Sequence, residues 1–457
     1  MKWLFLLTCL SAWGAEPPRP PIRLTLDKSI EIAVKNSSTV LKNEINERLA
    51  SARLLQSYAQ FLPTVDVGAR YSGSSGTTLF AFTTVNLVNG SNRGAGATLS
   101  STLNLFNGLS DYSGLKSAMA SEKFTQSTLS WARQQIALDI TQTYLQMVLD
   151  LQLVDIARKN LQTSQGRLEQ LKTQTQVGAS SIADLYRQEA QTSSDTLSLQ
   201  TAEVRAKDDE TLLIRKLRIA PDATYIFETP SLETSRSTLA ARPLPELVRE
   251  ALEQRSDLHA SEFRLQSTDW DITRAKSDYF PHLDLRFDRV SSAQYLYRQI
   301  VNGQDVLPSS QQSLGDQLGN QVNYTLSLNL TWNLFDRLLT RTQVTQARLT
   351  HENAEIDAQD TRLQIDAEVR IAIHDYETAW TQVGTAKTGL DAASKAFEAV
   401  RGRYQMGQAT FIDVLSSQVT LTQARSNQVQ ASVNLKLREK TLDYATGRLN
   451  VPVIESF

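Results

Sequence analysis

Two carboxylates, Asp184 and Asp413, recur in the same short setting. Val177-Gly178-Ala179-Ser180-Ser181-Ile182-Ala183-Asp184-Leu185 returns 229 residues later as Met406-Gly407-Gln408-Ala409-Thr410-Phe411-Ile412-Asp413-Val414. An acid three residues after Ser or Thr admits two chemistries. In a capping box, Ser181 or Thr410 and its acid satisfy the free amides of a helix N-terminus. In a symmetric assembly, one carboxylate per subunit forms a ring that attracts cations and narrows a pore. The two roles are compatible, because a capping acid can still face a lumen. For Asp184 the sequence favours the cap; for Asp413 both readings stand.

No other residues are spaced for catalysis or metal binding. His259, His282, His351 and His374 show neither an i, i+4 pair nor a His-Glu-x-x-His motif. Gly94-x-Gly96 lacks the third glycine of a phosphate-binding turn. No nucleophile elbow is present. The expectation is a protein that is not an enzyme and has no cofactor and no metal. With 47 basic and 49 acidic residues, the chain has no basic excess to draw nucleic acid.

The elements that carry the two carboxylates are themselves duplicated. Asn104-Leu105-Phe106 returns as Asn333-Leu334-Phe335, again at an offset of 229, whereas Tyr58 to Pro63 is echoed by Lys276 to Pro281 at 218. A repeat this long is a half-protein written twice. Ile140, Tyr144, Met147, Leu151, Val154, Leu161 and Leu168 step by four, three or seven. Their counterparts at +229, from Val369 through Tyr376 and Trp380 to Phe397, are all apolar. This heptad seam predicts long helices packed side by side. The glycine turns at Gly178 and Gly407 then join helix to helix and set both carboxylates at an end of the bundle.

Strands alternate with these helices. Tyr324, Leu326, Leu328, Leu330, Trp332 and Leu334 alternate with uncharged polar residues, as do Leu99, Leu103 and Leu105. Val65, Val67, Ala69 and Tyr71 show the same period of two, and so do Leu283, Leu285 and Phe287. One hairpin per half follows, around 64–106 and 282–335, with Gly73 to Gly96 and Ser291 to Gln321 read as loops. An apolar face of about ten residues opposite a polar face fits a transmembrane β-barrel strand. Four strands cannot close a barrel, since about eight are needed. Open edges are not tolerated in lipid, so several chains must pool their strands.

Lys2, the apolar run Trp3 to Leu10, and Ala12 and Gly14 predict a signal peptide over 1–14. Cys9, the only cysteine, falls inside it. Thr8 stands where a lipid-acceptor cysteine prefers a small residue, which argues against lipidation. The expected organisation is then a first repeat over 15–219, a linker over 220–245, a second repeat over 246–448 and a tail over 449–457.

These residues resemble the TolC-like outer-membrane efflux proteins. The resemblance spans nearly the whole mature chain. It rests on the duplicated order of helix, hairpin, long helix, turn and helix, and on Gly-x-x-Ser/Thr-x-x-Asp at both Gly178 and Gly407. It implies a mainly α fold with a β-hairpin per half. Coiled-coil helices would form a trimeric α-barrel in the periplasm below a shared twelve-stranded β-barrel in the outer membrane of a Gram-negative bacterium. It further implies a homotrimer with a periplasmic adaptor and an inner-membrane RND or ABC pump as partners, in a tripartite efflux or type I secretion system. The alternative is a trimeric adhesive or structural coiled coil without transport. Asp413, Asp184 and Tyr404 are the expected pore gate, the resemblance implying a bond from Tyr404 to Asp184 of the neighbouring turn, with ordinary helix packing as the alternative for Tyr404. Gly178, Ser181, Gly407 and Thr410 form the tips expected to meet the adaptor. Some members carry a second acid where this chain has Ser416, and a bracing arginine where it has Ala409.

Overall fold

A computed structural model describes residues 22–81, 85–230, 236–301, 303–306 and 310–449. The expected signal peptide, Cys9 and nearly all of the tail lie outside the described residues. Strand β1 (Ile22–Leu24) leads into helices α1 (Leu26–Asn36) and α2 (Ser38–Ala59). Strands β2 (Thr64–Ala81) and β3 (Val85–Asn107) follow, then helices α3 (Ser110–Gln176) and α4 (Ile182–Leu217). After strand β4 (Tyr225–Phe227) the order restarts with helices α5 (Leu244–Gln254) and α6 (Ser256–Ala275). Strand β5 (His282–Val301), the short strand β6 (Gln304–Asp305), helix α7 (Leu314–Asn320) and strand β7 (Val322–Thr331) come next. Helices α8 (Leu339–Gln405) and α9 (Phe411–Ala445) complete the described chain. Helices α3 and α8 each hold 67 residues. Each is therefore about 100 Å long at ~1.5 Å per residue.

The duplication extends to the backbone torsions. Left-handed φ values occur at Gly108 and Arg337, Leu109 and Leu338, Gly178 and Gly407, and Arg218 and Gly447. Each pair stands at the 229 offset, so the second copy keeps the turn even where it has lost the glycine. Before α3 and α8, Asn107 and Asp336 accept from the amides of Asp111 and Thr340, respectively. The same corner is capped twice.

One of two compact units comprises 1–45, 127–258 and 360–457. Its core forms two clusters, one per repeat. Ile140, Tyr144 and Met147 pack with Ala33, Leu213 and Leu217. Val369, Ala372 and Tyr376 pack with Ala251, Leu258 and Leu442. The heptad seam is thus buried where it meets the short helices. Strands β1 and β4 pair in parallel beside the first cluster. Two tyrosines fasten the segment between the repeats. Tyr144 Oη donates to Leu24 O at 2.8 Å and to Glu228 O at 2.6 Å. The Ser237 amide donates to Tyr376 Oη at 2.7 Å. Burial pushes the Tyr144 hydroxyl up to about 12.

The other unit comprises 46–126 and 259–359. Its four long strands run in the order β2-β3-β5-β7, each antiparallel to its neighbour. Val65 and Val67 lie on the apolar face with Leu326, Leu328 and Leu330, and all are exposed in the single chain. Gly73 to Gly96 is not the loop its composition suggests. Ser72 pairs with Gly94, Gly76 with Gly90 and Ala81 with Val85, so the ladder continues almost to the end of the hairpin. Backbone hydrogen bonds need no side chain, and small residues fit a paired strand as well as a loop. The Ser291 to Gln321 segment is strand as far as Val301 and includes β6 and α7.

Strand β7 reaches only to Ser291 on β5. Beyond it, two glutamines take the place of a strand. Gln317 accepts from the Gln294 amide at 2.9 Å and donates to the Gln294 carbonyl at 3.0 Å. Gln311 makes the same two bonds to Leu296, at 2.8 and 2.9 Å. Strand β6 closes the edge at Ile300 and Val301.

Candidate functional site

The two helix-to-helix turns bring the expected site residues together in two sets. Each turn is five residues long, 177–181 between α3 and α4 and 406–410 between α8 and α9. The Ala179 amide donates to Gln174 O at 2.7 Å and the Gly178 amide to Thr175 O at 3.1 Å. In the second turn, the Gln408 amide donates to Arg403 O at 2.8 Å and the Gly407 amide to Tyr404 O at 2.9 Å. This is a Schellman closure, and it places Gly178 at φ +75 and Gly407 at φ +74. A Cβ on either glycine would meet nothing within 4 Å. The glycine is therefore required by the sign of φ and not by space.

The caps differ. Thr410 Oγ1 accepts from the Asp413 amide at 3.3 Å, and Asp413 Oδ2 accepts from the Thr410 amide at 2.9 Å. That is the reciprocal box the sequence suggests. The Thr410 hydroxyl and amide, with the Arg403 charge, hold the Asp413 carboxyl below its usual range. In the first turn no such box forms. Ser181 Oγ accepts from the Ala183 amide at 3.2 Å instead, and Asp184 Oδ1 accepts from Arg187 Nη1 at 3.1 Å. Asp184 is thereby turned to its own helix, and among the described residues no bond joins it to Tyr404. The Tyr404 ring lies 6.2 Å from that of Phe411.

A polar ladder above the turns escaped the sequence reading. Gln188 Nε2 donates to Ser164 Oγ at 2.8 Å. Asn160 Nδ2 donates to Asp195 Oδ1 at 3.0 Å. The Asn160 side-chain oxygen accepts from Gln418 Nε2 and from Thr422 Oγ1, each at 3.1 Å. Arg167 donates to the Gln418 side-chain oxygen. Asn160 on α3 thus ties α4 to α9. The signal was there in Gln188, Thr192 and Asp195, which step by four and three, a heptad seam written in polar residues. Burial makes such a network worth having only when it is satisfied, and Asp195 Oδ2 and Gln188 Oε1 have no partner among the described residues.

Two openings flank this ladder. A groove of about 1170 Å³ between α8 and α9 is lined by Thr, Gln, Asn, Ala and other uncharged side chains. A second cleft, of about 370 Å³, lies among α3, α8 and α9 and includes Arg167, Arg401, Tyr404 and Arg425. No cluster of metal-ligating side chains occurs among the described residues. No described helix is long and apolar enough to cross a membrane, which says nothing of a β-barrel.

The sequence pattern of the outer membrane efflux protein family matches residues 29–215 and 247–448. The pyoverdine export outer membrane protein OpmQ of Pseudomonas putida is 24% identical over 421 residues, covering 90% of this chain and 84% of its own. Outer membrane protein TolC of Escherichia coli is 21% identical over 414 residues, covering 90% and 79%. The crystal structure of the Campylobacter jejuni CmeC outer membrane channel superposes with a TM-score of 0.77 at 18% identity, covering 93% of this chain and 86% of that one.

Proposed function

The chain belongs to the outer membrane efflux protein family, and on that premise we propose that it assembles as a trimeric channel that carries solutes from the periplasm to the exterior. The single observation that carries the trimer is the β2-β3-β5-β7 sheet. Its apolar side chains are exposed, β2 and β7 each have one partner, and β7 is 10 residues long. A strand of that length suits a lipid bilayer. Unpaired edges there must be closed by another copy. Three chains give twelve strands, enough for a water-filled lumen.

In this reading the helices continue the conduit into the periplasm. The turns at Gly178, Ser181, Gly407 and Thr410 meet a periplasmic adaptor, itself joined to an RND or ABC pump, as in tripartite efflux or type I secretion. Asp413 lines the periplasmic entrance with Asp184 and Tyr404 near it. OpmQ is by its name an exporter of pyoverdine, which makes a small exported solute the first cargo class to assay. Native mass spectrometry of the detergent-solubilised protein tests the assembly: a trimer is expected, and a dominant monomer or dimer overturns it. Planar-bilayer recording then separates a conduit, which conducts, from an adhesive coiled coil, which does not.

A further inference from the structure

We infer that the cleft among α3, α8 and α9 is a binding site for an oxyanion, held by Arg167, Arg401 and Arg425. Each guanidinium comes from a different helix, and all three line one cavity of about 370 Å³. Among the described residues, no aspartate or glutamate lines it. Among the described residues, no ion pair involves any of the three arginines. The only hydrogen bond Arg167 makes within the described chain is to the side-chain oxygen of Gln418, a neutral acceptor. A guanidinium offers five N–H donors in a planar fork, so most of its donors remain to be met. Gln418 is itself buried and held in place by Asn160, so its bond to Arg167 rests on a fixed partner.

The electrostatics point the same way. Burial and the Arg401 charge both work against the Arg167 cation. A half-buried cation beside a like charge is costly unless a counter-charge joins it, and that cation is Arg167. The rest of the wall supplies neutral donors, among them Thr163, Gln170, Gln174 and Tyr404, and an apolar floor of Leu171, Phe397 and Phe411. Carboxylate, phosphate or sulfate groups match a forked guanidinium with two parallel bonds. An anion seated there joins α3 of the first repeat to α8 and α9 of the second. The site rests on this geometry alone and holds whether or not the protein conducts.

The test uses full-length protein in detergent and inorganic phosphate as the probe. Equilibrium dialysis with radiolabelled phosphate is run from about 0.1 to 10 mM, at an ionic strength held constant with sodium chloride. Saturable binding of phosphate is expected, with the thermal midpoint rising in step. Arg401→Gln and Arg425→Gln, both exposed positions, should each weaken it about tenfold, as loss of one charge-assisted contact does. Arg167→Lys should weaken it while keeping the charge, because the fork is lost. Arg205→Gln, on α4, should bind like the parent. Absence of saturable phosphate binding overturns the site, as does binding that survives both Arg401→Gln and Arg425→Gln.

Discussion

The turn at Gly178 and the turn at Gly407 share one backbone and differ in nearly every side chain on it. Both close with the same two amide bonds and the same left-handed glycine. At the second, Phe411 is 4% exposed and stacks near Tyr404, with a reciprocal cap behind it. At the first, Ile182 takes the place of Phe411 and is 60% exposed, and Thr175 takes the place of Tyr404 with a buried hydroxyl lacking a partner among the described residues. Duplication fixed the path of the chain. Divergence then gave one turn a buried aromatic and left the other presenting Ile182 and Tyr186 to whatever lies beside it, while Val177 and its counterpart Met406 are exposed at both.

The sharpest way to break this contrast is to empty both equivalent positions. Phe411→Ala should destabilise by about 3–5 kcal/mol, the usual cost of removing a buried phenylalanine. Ile182→Ala should fall within about 0.5 kcal/mol of the parent, as exposed substitutions do. Thermal melting of the two variants measures the difference, and equal losses would mean that the two turns are packed alike. Next in size, Gly178→Ala and Gly407→Ala should each cost about 1–2 kcal/mol, because both force an alanine into a left-handed conformation. Here the turns should agree, and a large inequality in melting would show that side-chain packing governs them.

The caps give a smaller effect. Thr410→Ala removes a reciprocal pair and should cost about 1 kcal/mol, while Ser181→Ala, which loses a single bond, should cost about half that. Hydrogen exchange at the first turns of α9 and α4 would resolve the two. A comparable effect is expected higher in the repeats, where Asp209 stands in the first and Arg438, paired to Asp375 at 3.0 Å, in the second. Burial and a hydrogen bond to Asp150 raise the Asp209 carboxyl to about 6. A carboxyl whose folded value is raised contributes stability below its unfolded value of about 3.9, and that contribution is lost as pH rises through about 6. Asp209→Asn should therefore raise stability at pH 7 by about 1 kcal/mol after solvent screening, seen as a higher melting temperature, and lose its advantage below about pH 4.

The mildest structural effect comes from Asp413. Its depressed carboxyl contributes stability above its unfolded value of about 3.9, lost as pH falls through the folded one. Asp413→Ala should thus match the parent in acid and differ from it only at higher pH. In planar bilayers it should also lower cation preference and block by multivalent cations, whereas Asp184→Ala, whose carboxylate is turned to Arg187, should change both less. If Asp413→Ala conducts like the parent and only melts earlier, the residue is a cap and no gate.

Periodicity made much of this legible. The 229 offset located both turns, both long helices and the buried seam from Ile140 to Met147, because packing along a helix leaves a period of 3.5 in the sequence; Leu151, one step further on that seam, is exposed in the single chain. The strand from Gly73 to Ala81 was hidden because its pairing is made by backbone, and glycine and serine carry no face. The failure of the Ser181 box was hidden too. Ser-x-x-Asp names the partners of a cap, but Arg187, one turn on, competes for Asp184 and wins. The arginine cleft was out of reach for a different reason, since Arg167 comes from the first repeat and Arg401 and Arg425 from two helices of the second.

In the trimer proposed above, the glutamine pairs on β5 bear on which edge one copy can offer another. A nascent sheet waiting in a membrane is a set of sticky margins, and any long bare margin recruits the wrong neighbour. Gln311, Gln317 and β6 already occupy the stretch of β5 that β7 leaves unpaired. What is left for recruitment on that side is β7, ten residues long and on the apolar stretch of the sheet. In that proposed assembly, a copy offering the free margin of β2 would meet β7 alone on this side of the sheet. Two amide side chains thus act as a stop codon for strand addition, written in geometry.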